Sequence, residues 1–303
     1  MSKELNFNLS ANELLEMGKV AGFEVSVSTT PSDLPGDDPV MNEGLKWGGV
    51  ETEVEIEGEG DGLAKKIIMV AVTEGPDAVN DFTLENRALI EERALVDENV
   101  ARAFELALRF GVSQKNGNCA NNLGAAYYLG SVVEQDYEKA AELYKLALEW
   151  GCYQSIVNLG YIYEYGRIGE PDYAEAYRYY SLAASLAPGS EAAYKLGDMF
   201  ARGRFVKKDV KCAAQLWRRS YDLAQDIVER AQPAIRLAQL IVGADCEEAG
   251  LEPDMLHALM LFQQAEIGLR IDIEDGQVYY MKRLTEAIEG QQVARARLDG
   301  TQE

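Results

Sequence analysis

The six residues Asn122-Leu123-Gly124-Ala125-Ala126-Tyr127 return as Asn158-Leu159-Gly160-Tyr161-Ile162-Tyr163, 36 positions later, and again as Lys195-Leu196-Gly197-Asp198-Met199-Phe200, a further 37 on. A second block keeps the same two shifts: Asp136-Tyr137-Glu138-Lys139-Ala140, Asp172-Tyr173-Ala174-Glu175-Ala176 and Asp209-Val210-Lys211-Cys212-Ala213. Two independent blocks with one period mark an internal repeat, each copy being one supersecondary unit. Leu123, Tyr127 and their equivalents fall at helical spacing and form one apolar stripe. Gly124, Gly160 and Gly197 sit inside that helix, where glycine costs about 1 kcal/mol against alanine. Close approach of a paired helix, allowed by the missing Cβ, is the reading that offsets the cost. Gly130, Gly166 and Gly203 suit a left-handed helix C-cap. Asp136, Asp172 and Asp209 stand where an N-cap starts a second helix, with an alanine four residues later. Each unit therefore reads helix, loop, helix, and such a pair buries its apolar face only by stacking on neighbours.

Leu-Gly-x-x-Tyr, a glycine, Asp-Tyr-x-x-Ala and a small residue seven further on (Ala147, Ala183, Ser220) together resemble the Sel1-like repeat, a relative of the tetratricopeptide repeat. Three units fit well over about residues 118 to 224, and the resemblance extends over about 82 to 270. A fourth unit is degenerate: Ala234-Ile235-Arg236-Leu237-Ala238 has alanine for glycine, and Asp254, Ala258 and Ala265 keep the internal spacing after a longer loop. Upstream, Leu106-Ala107-Leu108-Arg109-Phe110-Gly111 echoes Leu146-Ala147-Leu148-Glu149-Trp150-Gly151, which suggests a divergent first pair over about 82 to 111. The last helical stretch, about 276 to 298, reads as a cap with a polar outer face.

The resemblance implies a mainly α fold, an α-α superhelix of the Sel1-like or tetratricopeptide-like solenoid type over 81–303. It also implies binding to a protein or peptide rather than catalysis. If the likeness to tetratricopeptide repeats extends to geometry, the first helix of each pair lines the concave surface. Its inward positions are then Asn121, Ala125 and Tyr128; Val157, Tyr161, Glu164 and Tyr165; and Tyr194, Asp198 and Arg202. Tyrosine offers rigid contact area with a polar tip, which suits binding hot spots. Tyr127, Tyr144, Tyr163 and Tyr180 occupy family core positions instead.

Before the repeats the pattern changes. Residues 10 to 20 suit a short helix, while Val25 and Val27, then Val50, Val54 and Ile56, alternate with polar residues as half-buried strands do. Gly58-Glu59-Gly60-Asp61-Gly62 reads as a turn, and the apolar run Lys66-Ile67-Ile68-Met69-Val70-Ala71-Val72 as a second strand. Residues 1–80 are thus expected to be a small α+β domain with an antiparallel hairpin, and Thr30 to Pro39 a polar loop. The glycines lack a following Lys-Ser or Lys-Thr and lie among acidic residues, so they do not form a phosphate cradle.

A balance of 51 acidic to 29 basic residues leaves a formal charge of −22. That field repels phosphate backbones and anionic lipid, so nucleic acid and membrane surfaces are poor partners and a basic protein or peptide a better one. No export signal opens the sequence and no apolar run reaches membrane-spanning length, which points to the cytoplasm. Cys119, Cys152, Cys212 and Cys246 are scattered without a Cys-x-x-Cys, so neither zinc nor a redox motif is indicated, and reduced thiols are expected. Any histidine-based triad or metal site would have to use His257, which lies in the apolar second helix of the degenerate unit with no nearby nucleophile. The residues indicate no catalytic set, metal or cofactor. The leading reading is a non-catalytic interaction scaffold. The alternatives are an acidic inhibitor or immunity-type protein that neutralises a basic partner, and an enzyme with its site in the N-terminal domain.

Overall fold

The computed structural model describes residues 9–21 and 59–300, and its packing divides the chain into two compact units, Met1–Ser155 and Ile156–Glu303. Every regular element among the described residues is helical.

In the first unit, α1 (Ala11–Ala21) matches the short helix read over residues 10 to 20. Its start is a capping box, in which Ser10 Oγ accepts from the Glu13 N–H and the Glu13 carboxylate accepts from the Ser10 N–H. The helices α2 (Glu59–Thr73), α3 (Pro76–Glu85), α4 (Arg87–Ala94) and α5 (Glu98–Ser113) follow, then α6 (Gly117–Leu129) and α7 (Tyr137–Glu149). Glu13 on α1 pairs with Arg109 on α5 at 2.6 Å and with Arg102 at 3.3 Å, tying the N-terminal helix to the core.

The expected α+β domain over 1–80 is corrected here. Lys66 to Val72 is not a strand but the body of α2, and Gly60 and Gly62 open that helix instead of making a hairpin turn. The physical reason is burial on two neighbouring rows: Leu63, Ala64, Ile67, Ile68 and Ala71 are buried while Lys66 is exposed, a helical and not a two-residue period. A continuous apolar run carries no alternation, so periodicity alone leaves strand and helix open. The proposed strands at Val25 to Val27 and Val50 to Ile56, and the loop from Thr30 to Pro39, lie outside the described residues.

The second unit comprises α8 (Gln154–Glu164), through whose first turn the division passes, α9 (Tyr173–Leu186), α10 (Ser190–Arg202), α11 (Val210–Leu223), α12 (Ile227–Val242), α13 (Met255–Glu274) and α14 (Met281–Leu298). Within it α10 packs on α11, α12 on α13 and α13 on α14. The cap reading at 276–298 meets a 3-10 turn, Val278–Tyr280, and then α14, which buries Leu284, Ala287 and Ala294.

The repeat's backbone signals hold in both units. Gly130, Gly166 and Gly203 have φ of 68°, 59° and 65°. Asp136, Asp172, Asp209 and Asp254 each accept a backbone N–H of the first turn they cap. The interior glycines face aromatic rings: a Cβ on Gly124 would lie 2.9 Å from the Tyr144 ring, and one on Gly197 2.6 Å from Trp217. A Cβ on Gly160 would overlap the Tyr180 ring more severely. In the degenerate fourth unit the ring equivalent to these is Phe262, and it meets a glycine of α14, Gly290. Tyr127, Tyr144 and Tyr180 are buried as expected, and Tyr163 is half-buried, stacked on Tyr179.

Candidate functional site

The residues expected on the first-helix face differ in fate. Val157 is buried core, and Glu164 and Asp198 are buried charges, whereas Tyr165 and Arg202 are exposed. Tyr161 and Tyr194 are half-buried.

Glu164, at the C-terminal end of α8, accepts from Tyr180 Oη at 2.8 Å, from Lys195 Nζ at 2.5 Å and from Arg204 Nη1 at 2.7 Å. Lys195 also donates to Tyr165 Oη at 3.1 Å. Its ammonium lies 4.5 Å from the centre of the Tyr161 ring, 4.9 Å from Tyr165 and 5.7 Å from Tyr180, so an internal cation fills an aromatic box. Burial works against that ammonium, yet Glu164 and then Tyr165 outweigh it and raise its pKa. Tyr161 stacks on Tyr165 with ring centres 5.9 Å apart and donates to Glu191 at 2.6 Å. Burial, followed by the Glu191 carboxylate, pushes the Tyr161 phenol well above its usual range.

A second node lies one unit further along. Asp198 receives both Nε and Nη2 of Arg236, each at 3.1 Å, and Arg202 Nη2 at 2.8 Å. This paired-fork geometry is the stronger kind of charged hydrogen bond. Arg236 also lies over Trp217, 5.9 Å from the ring. The chain of contacts continues through Gln239 to Glu286, which Arg283 meets at 3.1 Å. Tyr194, whose phenol burial raises above its usual range, points at Gln232.

Lys195 and Arg236 were not among the expected site residues. Each directly precedes the repeat leucine, Leu196 or Leu237, and reaches back to an acid on the preceding first helix. In the first unit the same position is Asn122, which reaches Asn80 on α3 at 2.6 Å. The signal was a charged residue replacing asparagine at one repeat position.

In the first unit Asn121 and Tyr128 are half-buried on α6, and Tyr128 sits edge-on to Tyr137 at 5.3 Å. Ala125 lines a small, open cleft walled by Leu84, Ile90, Phe104 and Val132, with Arg87 and Glu91 at its polar side.

His257 is exposed, and among the described residues no three His, Cys, Asp or Glu side chains stand where they could hold a metal ion. All four cysteines are free thiols, and Cys119 is pushed up to about 12 by burial and then by Asp77 and Asp81. No described helix is long and apolar enough to cross a membrane.

Stacked helix pairs tied by a polar ladder along their first helices define a helical-repeat protein. The Sel1 repeat model matches residues 117–149, 154–188, 190–224 and 236–266, so this array is built of Sel1-like repeats. The fourth match falls on the degenerate unit, while 82–111 lies outside the matched residues. Repeats of this family generally mediate protein–protein interaction, and the family is generally a non-catalytic scaffold. Among solved structures, the chain is similar to a Sel1 repeat protein from Oxalobacter formigenes, with 21% identity, 69% of this chain and 84% of that chain covered, and a TM-score of 0.48. It is also similar to a protective antigen of uropathogenic Escherichia coli strains displaying an SLR fold, with 20% identity, 79% and 54% covered, and a TM-score of 0.46. No curated protein matches the chain.

Proposed function

We propose that this chain is a non-catalytic scaffold that binds a protein or peptide along the first-helix, concave face of its repeats, in the cytoplasm. The observation that carries the reading is Tyr165, an aromatic side chain 47% exposed yet held by the Tyr161 stack and by Lys195. A pre-ordered ring gives contact area with little entropy left to lose on binding. Arg202, exposed on α10 and anchored through Asp198, supplies a polar neighbour. In this reading Asn121 and Tyr128 serve the first unit and Tyr194 the second, while Val157, Tyr161, Glu164 and Asp198 position the face from beneath. The net charge of −22 favours a basic segment over nucleic acid as the partner.

The test is quantitative capture from lysate of the source organism, comparing wild type with Tyr165→Ala/Arg202→Ala and with Tyr128→Ala. Both variants should still melt cooperatively well above the assay temperature, while the first loses its partner at least tenfold. Equal retention by all three would remove the first-helix face as the site. The charge favours a second reading, an inhibitor of a basic protein; it requires that capture weaken steeply with salt, and salt-independent capture would count against it.

A further inference from the structure

We propose that the outward face of α13 is a self-association surface, on which a second copy of this chain docks its own α13 antiparallel about a two-fold axis beside Gln263. Among the described residues, the second helix of the last repeat carries an apolar stripe turned to solvent: Leu256 (58% exposed), Met260 (52%), Ile267 (50%) and Ile271 (37%). These positions fall within one narrow sector of the helix, and Gln263, Arg270 and Glu274, all exposed, complete the same face. The opposite side is committed to the core through Ala258, Leu261, Phe262, Ala265 and Leu269. Helix propensity does not account for large apolar side chains on the wet side of a helix, because Gln, Glu or Lys would serve there as well.

A second copy is selected as the occupant by two features. The stripe is self-complementary: Leu256 and Ile271 are equidistant from the midpoint between Gln263 and Gln264, and so are Met260 and Ile267. Antiparallel pairing therefore sets Leu256 against Ile271 and Met260 against Ile267 twice over, as an isologous contact requires. The four apolar side chains expose roughly 400 Å² per copy, the size of a large apolar patch on a monomer and about half of the ~800 Å² per partner of a standard interface, which suits a weak self-association. An anionic membrane is a poorer match, since interfacial helices flank such a stripe with lysine and arginine.

Two chains that each carry −22 repel one another. Association through an apolar stripe must then tighten as salt screens that repulsion, opposite to the behaviour of a basic ligand on the acidic surface. The experiment is sedimentation of the full chain at about 0.05 M and about 0.5 M salt, with a dissociation constant on the order of 10 µM expected at the higher. Met260→Glu/Ile267→Glu, at exposed positions and with unchanged melting, should weaken the dimer more than tenfold. Gln263→Cys should form a disulfide-linked dimer under mild oxidation, while Gln215→Cys, exposed on α11, and wild type should not. A monomer at all concentrations in high salt would overturn the proposal, as would a dimer indifferent to the two glutamates or to the position of the cysteine.

Discussion

Removing Glu164 exposes what the ladder costs and contributes. The Glu164 side chain is 1% exposed and that of Lys195 5%, so Glu164→Ala leaves an ammonium buried against three tyrosine rings with Tyr165 Oη as its remaining hydrogen-bond acceptor. Arg204, 29% exposed, can turn to water and loses little. Breaking one side of such a pair costs about 3–5 kcal/mol, most of it the penalty of the orphaned charge. For a unit of this size each kcal/mol lowers Tm by roughly 2–4 °C, so circular-dichroism melting should show a fall on the order of 10 °C. Replacing both partners, Glu164→Leu with Lys195→Met, should restore most of that loss, because packed apolar groups of similar volume need no counter-charge. A Glu164→Ala variant that melts within about 2 °C of wild type would refute the reasoning: the pair would then be a solvent-screened contact worth under about 1 kcal/mol.

Gly160→Ala should destabilise by about 1–3 kcal/mol in chemical denaturation despite alanine's better helix propensity, since its Cβ overlaps the Tyr180 ring. Asp172→Ala, which removes the acceptor for the Ala174 and Glu175 N–H groups, should cost about 1 kcal/mol in the same assay. Asp272 is buried, and burial, then Asp275 and Asp226, raise its pKa to about 6. A carboxyl raised above its unfolded value is neutral and harmless at low pH and destabilises as pH climbs through about 4 to 6. Asp272→Asn should therefore be more stable than wild type by about 1–2 kcal/mol at pH 7, with the difference closing near pH 4. A gain independent of pH would contradict this.

The parts of the fold legible in the sequence are those that report local backbone geometry. Gly130, Gly166 and Gly203 mark left-handed caps, and Asp136, Asp172 and Asp209 mark helix starts, because each requirement is met within a few residues of chain. The interior glycines are legible in kind, as sites of close approach, but not in partner: that Tyr144, Tyr180 and Trp217 fill the gaps depends on how the second helix lies across the first. Lys66 to Val72 misleads because an unbroken apolar run satisfies either a central strand or a helix buried on two rows. Among the candidate site residues, Glu164 and Asp198 look like surface charges in a linear reading. Only stacking brings Lys195 and Arg236 onto them and turns both acids inward.

The most direct test of the scaffold account is hydrogen exchange on the complex with the captured partner, compared with the free chain. Binding on the first-helix face predicts added protection in peptides covering Tyr161 to Tyr165 and Tyr194 to Arg202, with α9 and α11 unchanged. Protection confined to α9, α11 or α13 would place the partner on the second helices and contradict the account.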